Sequence, residues 1–335
     1  MPKTVKTIDL FAGIGGIRLG FEQAFGKAAK TVFVSEFDPH AVQTYSANFE
    51  TPKTIFGDIT QIDEKSIPPF DICLAGFPCQ AFSIAGLKKG FQDNYRGMSR
   101  GTLFHEVVRI CDYHKPKVIF CENVKGLLHH DSGNTLRVIE GAFEEIGYKV
   151  YYQVLNSKDF GIPQNRERIY IVCFRNDIAP SEFRFPKGVE TQIRIRDILD
   201  PAPIPAKYYL SETYIATLIR HRQRHESKGH GFGYEIRDLD GLAGTIVVGG
   251  MGRERNLVID QRPHSMVPTT HIKGEINKDG IRRMTPREWA RLQGFPEDFK
   301  FVVGDASLYK QFGNSVSVPV IKAIALEIKK RLRSK

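Results

Sequence analysis

The chain has 335 residues, 41% of them hydrophobic, which is enough apolar material to bury a sizeable core in one or two domains. Its five cysteines are odd in number and contain no C-x-x-C pair, which argues against a disulfide framework and a metal site. Every apolar run is shorter than the roughly 20 residues of a membrane-spanning helix, and no signal-peptide core precedes the first predicted strand, so we expect a cytoplasmic protein without a membrane partner. Lysine and arginine outnumber aspartate and glutamate by 48 to 38, and the formal charge of +10 favours a polyanionic partner.

Strands and helices alternate through the first half of the chain. The predicted strands are 4–10, 31–35, 72–75, 118–121, 149–155 and 169–174, and the predicted helices are 17–25, 40–49, 103–114 and 135–146. Such alternation is typical of a parallel sheet with helices on both faces. It predicts an α/β fold with an open, doubly wound sheet of about seven strands.

The character of the chain changes after Arg175, where prolines become frequent and residues 229–252 are rich in glycine. We interpret this as a linker into a second, smaller domain. The last segment again has apolar residues at helical spacing from Val318 to Leu332, which predicts an amphipathic helix that covers the first domain. The expected division is therefore 1–188, 189–284 and a closing segment, 285–335.

A glycine-rich loop from Asp9 to Gly16 follows the first strand and opens the first helix, so that backbone amides can approach a ligand closely. A nicotinamide-binding G-x-G-x-x-G motif would need a third glycine where Arg18 stands, which disfavours an NAD-linked oxidoreductase. Glu36 ends the second strand and is placed to hold ribose hydroxyls, and Asp58 is placed to bind an adenine amino group. Both would also serve as plain strand-end caps.

Cys79 directly follows a strand of apolar residues, where an α/β enzyme places a nucleophile. A thiol is mostly protonated at neutral pH, so a nucleophilic Cys79 needs a cationic neighbour, and Arg166 and Arg168 are candidates. Glu122 also ends a strand and is placed to donate a proton to a substrate ring nitrogen. The alternatives are a buried small hydrophobe for the cysteine and a structural ion pair for the glutamate.

The order of six motifs resembles the DNA (cytosine-5) methyltransferases over nearly the whole chain. The motifs are Asp9-Leu10-Phe11-Ala12-Gly13-Ile14-Gly15-Gly16, Gly76-Phe77-Pro78-Cys79-Gln80, Glu122-Asn123-Val124, Gln164-Asn165-Arg166-Glu167-Arg168, Thr285-Pro286-Arg287-Glu288 and Gly313-Asn314-Ser315-Val316. The resemblance implies a Rossmann-like catalytic domain and a target-recognition domain. It also implies S-adenosyl-L-methionine as the methyl donor, with the phenyl ring of Phe37 against the adenine. The residues implied to surround this donor are Phe11, Gly13, Ile14, Gly15, Gly16, Glu36, Phe37, Asp58, Ile59, Pro78, Leu103, Asn314, Ser315 and Val316.

By the same resemblance, Cys79 adds to C6 of a flipped-out cytosine, Glu122 binds N3, and Arg168 steadies the base near O2, with Arg166 in the same catalytic motif. Gln80, Ser83 and Arg100 match positions on a loop that closes over DNA. This loop is a few residues longer than is usual in the family, so either Arg96 or Arg100 is the expected contact.

The region from 191 to 278 corresponds to the target-recognition part of the family, and it resembles that of bacterial enzymes that modify the inner cytosine of CCGG. Thr245, Arg253 and Arg255 are the predicted DNA contacts here. For the two arginines, bidentate contacts to guanine and contacts to phosphate both remain open.

The predicted function is thus methylation of C5 of cytosine in double-stranded DNA, by a monomer that acts beside a restriction endonuclease for the same site. The alternatives are the same chemistry on tRNA and a catalytically idle DNA-binding protein. The presence of both Cys79 and Glu122 disfavours the idle protein.

Overall fold

The computed structural model describes residues 4–50, 55–78, 103–227, 229, 233–249, 252–265 and 274–333, and the backbone of 94–95 and 98–99. The chain forms two compact units. Unit 1 comprises Met1–Asn156, Glu167–Gly188 and Val318–Lys335, and unit 2 comprises Ser157–Arg166 and Val189–Ser317. Among the described residues, none of the helices is both long and apolar enough to cross a membrane.

Unit 1 is built on a six-stranded sheet. Its strands are β1 (Val5–Leu10), β2 (Ala29–Ser35), β3 (Ile72–Ala75), β4 (Val118–Val124), β5 (Tyr148–Asn156) and β6 (Glu167–Arg175), in the order β2-β1-β3-β4-β6-β5. The helices of this unit are α1 (Gly16–Phe25), α2 (Pro39–Asn48), α3 (Leu103–His114), α4 (Asn134–Glu145) and α8 (Val318–Arg333). The predicted α/β fold is confirmed, as are these helices to within a few residues.

Two details of the sheet differ from the prediction. The sheet has six strands instead of about seven, and β6 runs antiparallel to both of its neighbours, β4 and β5. Only residues 157–166 connect β5 to β6. A parallel neighbour would need a crossover of a dozen or more residues, so this short connection returns the chain in the opposite direction.

Both faces of the sheet are buried, as alternating side chains show. Cys73, Ile119 and Ile171 belong to a core cluster that also contains residues of α3 and α4. On β4, Phe120 points the other way and contacts Phe21 of α1 in an edge-on arrangement, with ring centroids 5.2 Å apart. Helices therefore cover the sheet on both sides, as in a doubly wound fold.

Helix α8 packs against α1 inside unit 1. The contact depends on Gly20, because a Cβ atom at this position would lie 2.6 Å from Cβ of Ile321. The amphipathic closing helix predicted from the sequence is confirmed, since Val318, Ile324 and Ile328 are fully buried.

Unit 2 contains the remaining helices, α5 (Glu212–Glu226), α6 (Pro286–Leu292) and α7 (Asp305–Asn314). Its strands are short and paired in twos: Gln164–Asn165 with Ala243–Gly244, Ile204–Pro205 with His264–Ser265, and Leu257–Ile259 with Ile281–Arg283. In unit 1, Asn94–Tyr95 pairs with Met98–Ser99. Residues 285–317 thus belong to unit 2 together with 189–284, and only the last 18 residues return to unit 1. The functions expected for the segments 1–188, 189–284 and 285–335 stay predictions.

Buried ion pairs stabilise part of unit 2. The guanidinium of Arg282 is fully buried and donates to Asp260 at 2.8 Å and to both carboxylate oxygens of Glu288 at 2.8 Å. Glu288 also closes a capping box with Thr285 at the start of α6. Burial acts to raise the pKa of Asp260, but hydrogen bonds from Arg262 and Arg282 outweigh it and lower this pKa to about 2.

Candidate active site

Glu122 lies near the carboxyl end of β4 and is 9% exposed. Its Oε1 atom is 3.3 Å from Nε of Arg168, which lies on the antiparallel neighbour β6. Pairing of Val124 with Arg168 across the two strands places the carboxylate and the guanidinium on adjacent positions of the ladder. The structure thus brings together two of the predicted catalytic side chains.

Asn123 joins this pair to the segment before the predicted nucleophile. Its side chain is buried, accepts from the backbone N–H of Val124 at 2.8 Å, and donates to the carbonyl of Phe77 at 3.4 Å. Because β3 and β4 are parallel neighbours, their carboxyl ends meet at one edge of the sheet. Phe77 and Pro78, which precede Cys79 in the chain, therefore lie at the edge of the sheet where β4 ends.

Several predicted site residues lie outside the described residues: Cys79, Gln80, Ser83, Arg96 and Arg100. Their predicted roles stay predictions.

Arg166 and Arg168 do different things, although they are two positions apart. Arg168 pairs with Glu122 in unit 1. Arg166 belongs to unit 2, where its Nη1 donates to the carbonyl of Ile246 at 2.9 Å and its Nη2 to that of Ser315 at 2.6 Å. At least two donors of the Arg166 guanidinium are thus committed to backbone carbonyls.

The glycine-rich loop is tied to Glu36 at the end of β2. The backbone N–H of Gly13 donates to Oε2 of Glu36 at 2.6 Å, and that of Asp38 donates to Oε1 at 2.7 Å. Burial raises the pKa of Glu36, and these backbone donors oppose the rise. The loop and the end of β2 are thus joined through one carboxylate, and the predicted contact of Glu36 with ribose hydroxyls stays a prediction.

Asp58 lies beside the end of β2, because the backbone N–H of Glu36 donates to the carbonyl of Phe56 at 2.8 Å. Its Oδ1 atom caps a short 3₁₀ turn by accepting from the backbone N–H of Thr60 at 3.0 Å and from its hydroxyl at 2.8 Å. The capping role considered from the sequence is therefore present. Phe37 has 54% of its surface exposed, which leaves an aromatic face beside the two carboxylates.

The other residues predicted to surround the cofactor differ in which of their atoms are accessible to a ligand. The side chains of Ile14 and Ile59 are buried, so these residues present only backbone to a ligand. Phe11 and Leu103 pack partly against the core of unit 1. Gly15 has φ = 82°, and a Cβ there would lie 2.3 Å from the Phe49 ring, so this position requires glycine. Gly16 begins α1.

A buried polar network under the loop was missed from the sequence. Asp9 is 1% exposed, and its Oδ2 accepts from the hydroxyl of Tyr45 at 3.0 Å, which in turn accepts from Nη1 of Arg18 at 3.1 Å. Burial raises the pKa of Asp9 to about 7, although Arg18 and Tyr45 act to lower it. The guanidinium of Arg18 also lies 4.6 Å from the centroid of the Phe49 ring. The signal in the sequence was Arg18 itself, a charged residue on the otherwise apolar start of a helix.

In unit 2 the predicted DNA contacts differ in exposure. Arg253 and Arg255 lie on a 3₁₀ helix, Gly252–Asn256, with Glu254 between them. Glu254 is buried and pairs with Arg283 at 2.7 Å, which turns its neighbour Arg253 to the exposed side. The guanidinium of Arg253 lies 5.6 Å from the centroid of the Tyr309 ring. Thr245 donates its hydroxyl to the carbonyl of Asn165 at 2.8 Å.

The motif near the end of unit 2 follows α7. Asn314 is exposed, whereas Ser315 and Val316 are 8% and 6% exposed. Of the three, only Asn314 offers an open side chain.

Comparison with known proteins agrees with this arrangement. A family model described as C-5 cytosine-specific DNA methylase matches residues 5–330. The chain is 54% identical over 330 residues to Type II methyltransferase M.HpaII of Haemophilus parainfluenzae, covering 97% of this chain and 89% of that protein. It is 46% identical over 327 residues to Type II methyltransferase M.NlaX of Neisseria lactamica, covering 98% and 97%.

Among solved structures, Entamoeba histolytica methyltransferase EhMeth superimposes with a TM-score of 0.74 at 21% identity, over 99% of this chain and 98% of that one. This likeness shows the same fold. On the family match and the two bacterial relatives, the chain belongs to the C-5 cytosine-specific DNA methylases and is a DNA (cytosine-5-)-methyltransferase.

Proposed function

We propose that the protein transfers a methyl group from S-adenosyl-L-methionine to C5 of a flipped-out cytosine in duplex DNA, at the inner cytosine of CCGG. The observation that carries the chemistry is the buried pair of Glu122 and Arg168, joined through Asn123 to the segment that leads into Cys79. A carboxyl group and a guanidinium at this spacing match the N3 and O2 atoms on one edge of cytosine.

In the proposed reaction, the thiolate of Cys79 forms a bond to C6. Electron density moves from the C5–C6 double bond into the ring, and N3 takes a proton from Glu122 as C5 becomes nucleophilic. C5 would then take the methyl group that the donor supplies, with the bond from this methyl group to the donor sulfur breaking. A base removes the proton at C5, N3 returns its proton to Glu122, and the bond between sulfur and C6 breaks with its electron pair going back to Cys79, which restores the aromatic ring. Arg168 donates to O2 and keeps Glu122 oriented throughout.

The methyl donor, when bound, supplies an electrophilic methyl group on a sulfonium. The residues of unit 1 fit its adenosine part. The carboxylate of Glu36 is fixed by two backbone N–H donors for contact with hydroxyls, and the ring of Phe37 is exposed for stacking. Asp58 follows two residues after Phe56, whose carbonyl accepts from the backbone N–H of Glu36. A Cβ at Gly13 would meet no described atom within 4 Å, so a ligand can approach this loop. Asn314, Ser315 and Val316 are proposed donor contacts in unit 2.

The sequence specificity is assigned to unit 2. The resemblance of the recognition region to that of CCGG enzymes supports this site, and so does 54% identity to M.HpaII over nearly the whole chain. We assign Arg253 to a guanine edge, because its side chain is exposed while Glu254 anchors the backbone beside it. Arg255 and Thr245 are assigned to the adjacent DNA.

The named relatives are Type II methyltransferases, which supports a monomer that acts in the cytoplasm beside a restriction endonuclease for the same site. Methylation of one base at a time requires only one active site.

Incubation with tritiated S-adenosyl-L-methionine tests the proposal directly. We expect label in an unmethylated CCGG duplex, and none in a duplex of the same length with the site scrambled or in tRNA. Label in tRNA alone would show that the substrate class is wrong. A duplex with 5-fluorocytosine at the inner position should trap a covalent adduct, because fluorine cannot leave as a proton does, and Cys79→Ser should form none.

A further inference from the structure

Arg166 makes contacts that connect two distant parts of unit 2. Its side chain is 3% exposed. Nη1 donates to the carbonyl of Ile246, 80 positions away in the chain, and Nη2 donates to the carbonyl of Ser315, 149 positions away. Ile246 directly follows Thr245, the proposed DNA contact, and Ser315 lies within the proposed donor contacts. One guanidinium therefore holds the backbone of both segments.

Two glutamines fix the same segments independently of the arginine. Gln164 accepts from the backbone N–H of Ile246 at 3.0 Å and donates to the carbonyl of Leu292 at 2.6 Å. Gln293 caps the carboxyl end of α6 and donates to the carbonyl of Phe312 at 2.9 Å and to that of Ser315 at 3.2 Å. Both side chains are fully buried. We therefore expect the backbone of both segments to keep its position when Arg166 is changed.

The two segments also lie close together. A Cβ at Gly313 would lie 2.7 Å from Cγ2 of Val248 and 3.2 Å from the carbonyl carbon of Val247, so the close approach requires glycine at this position. The planar guanidinium adds a fixed angle between its two acceptors, which a lysine ammonium does not provide.

We propose that Arg166 is a positioning residue that couples recognition of the target sequence to binding of the methyl donor. A cognate duplex that orders the segment at Thr245 orders Ser315 through this side chain, so that the donor binds more tightly. By reciprocity, the donor strengthens binding of the cognate duplex by the same factor. This inference rests on the proposed function, since it takes the DNA and donor contacts from there.

The test measures the affinity for S-adenosylhomocysteine by calorimetry, because this product analogue binds without turnover. Three states are compared: enzyme alone, enzyme with the duplex that becomes labelled in the tritium assay, and enzyme with its scrambled counterpart. In the wild type we expect the cognate duplex to raise the affinity by about fivefold or more, within the usual range of allosteric coupling, and the scrambled duplex to leave it nearly unchanged.

In Arg166→Lys the ratio of affinities with and without cognate duplex should fall towards one. Loss of a merely structural contact would instead weaken binding equally in all three states. Arg168→Lys is the matched control: it lowers the rate of methyl transfer but keeps the wild-type ratio.

A wild-type ratio of one overturns the inference, and so does an unchanged ratio in Arg166→Lys. Methyl transfer to the duplex is scored separately, so that failure of the proposed function and failure of the coupling are distinguishable. Should Arg166→Lys not fold, Arg166→Met is measured in its place, since methionine has no donor for the carbonyls of Ile246 and Ser315. An unchanged ratio in Arg166→Met then overturns the inference.

Discussion

The carboxyl group of Asp9 should make unit 1 less stable as the pH rises, and Asp9→Asn should remove this effect. Asp9 is almost fully buried, and its Oδ2 accepts a single hydrogen bond from Tyr45. Its Oδ1 has no hydrogen-bond partner within the described part of the chain. Burial raises its pKa from 3.8 to about 7, and the opposing effects of Arg18 and Tyr45 are too small to restore it.

The sign follows from the protons bound in each state. Below about pH 4 the carboxyl is protonated in both the folded and the unfolded chain. Between about pH 4 and pH 7 the unfolded chain is ionised while the folded chain keeps its proton, so that the free energy of unfolding falls as the pH rises. The difference between 3.8 and about 7 corresponds to at most about 4 kcal/mol, which is fully lost above pH 7.

The full chain is unfolded with urea, and the spectroscopic signal of the aromatic residues of unit 1 is recorded. The measurement is repeated from pH 4.5 to pH 8.5 in steps of about half a pH unit. Asn keeps an oxygen that accepts from Tyr45 but does not titrate in this range. The wild type should therefore lose stability relative to Asp9→Asn as the pH rises. Asp112→Asn is the control. It replaces an exposed carboxylate on α3 that pairs with Lys115, and its free energy of unfolding should change with pH in parallel with that of the wild type. A wild type that gained stability relative to Asp9→Asn with rising pH would mean that Asp9 is an ionised partner of Arg18, and the reasoning from burial would be refuted.

Three further predictions concern catalysis, packing and specificity. Glu122→Gln keeps the shape of the side chain but has no proton to donate, so methyl transfer should slow by about 10²–10⁴-fold while the dissociation constant for duplex stays the same; a wild-type rate in single-turnover assays would contradict the assigned role. Gly20→Ala places a methyl group 2.6 Å from Cβ of Ile321 and should lower the free energy of unfolding by about 1–3 kcal/mol, whereas Gly141→Ala, which meets no described atom within 4 Å, should raise it by up to about 1 kcal/mol. Equal effects in thermal melts would show that the contact of α1 with α8 yields easily. Arg253→Ala should reduce discrimination at one base pair by about 1–3 kcal/mol, measured as kcat/KM over singly substituted duplexes. A uniform loss over all duplexes would assign this arginine to phosphate.

Much of unit 1 could be predicted because its signals are local. Apolar runs, glycine-rich turns and helical spacing specify β1 to α4 and the closing helix α8, each from neighbouring residues. The direction of β6 was wrong because it depends on the length of the connection from β5, and the sequence pattern of a buried strand is the same in both directions.

The site shows the same limit in another form. Glu122 and Arg168 belong to motifs that predict a catalytic role one by one, but the sequence does not show which arginine reaches the glutamate. Side chains alternate between the two faces of a strand, so residues 166 and 168, two positions apart, would be expected on the same face. This alternation therefore does not show which of the two arginines reaches Glu122. The structure separates them because β6 begins at Glu167, so that Arg168 pairs across the ladder while Arg166 precedes the strand.

Acidic residues at one edge of the sheet are distinguished by what donates to them. Glu36 accepts from two backbone N–H groups, Glu122 lies against a guanidinium, and Asp9 accepts from a single phenol. Two backbone donors fix the direction of the Glu36 carboxylate, which suits a group that must present oxygen atoms to a ligand. One phenol does not offset complete burial, so Asp9 holds its proton to a higher pH than an exposed aspartate does. The loop from Phe11 to Gly16 therefore follows a carboxyl group that ionises only near neutral pH, whereas two backbone donors hold the Glu36 carboxylate where the hydroxyl groups of the proposed donor would need it.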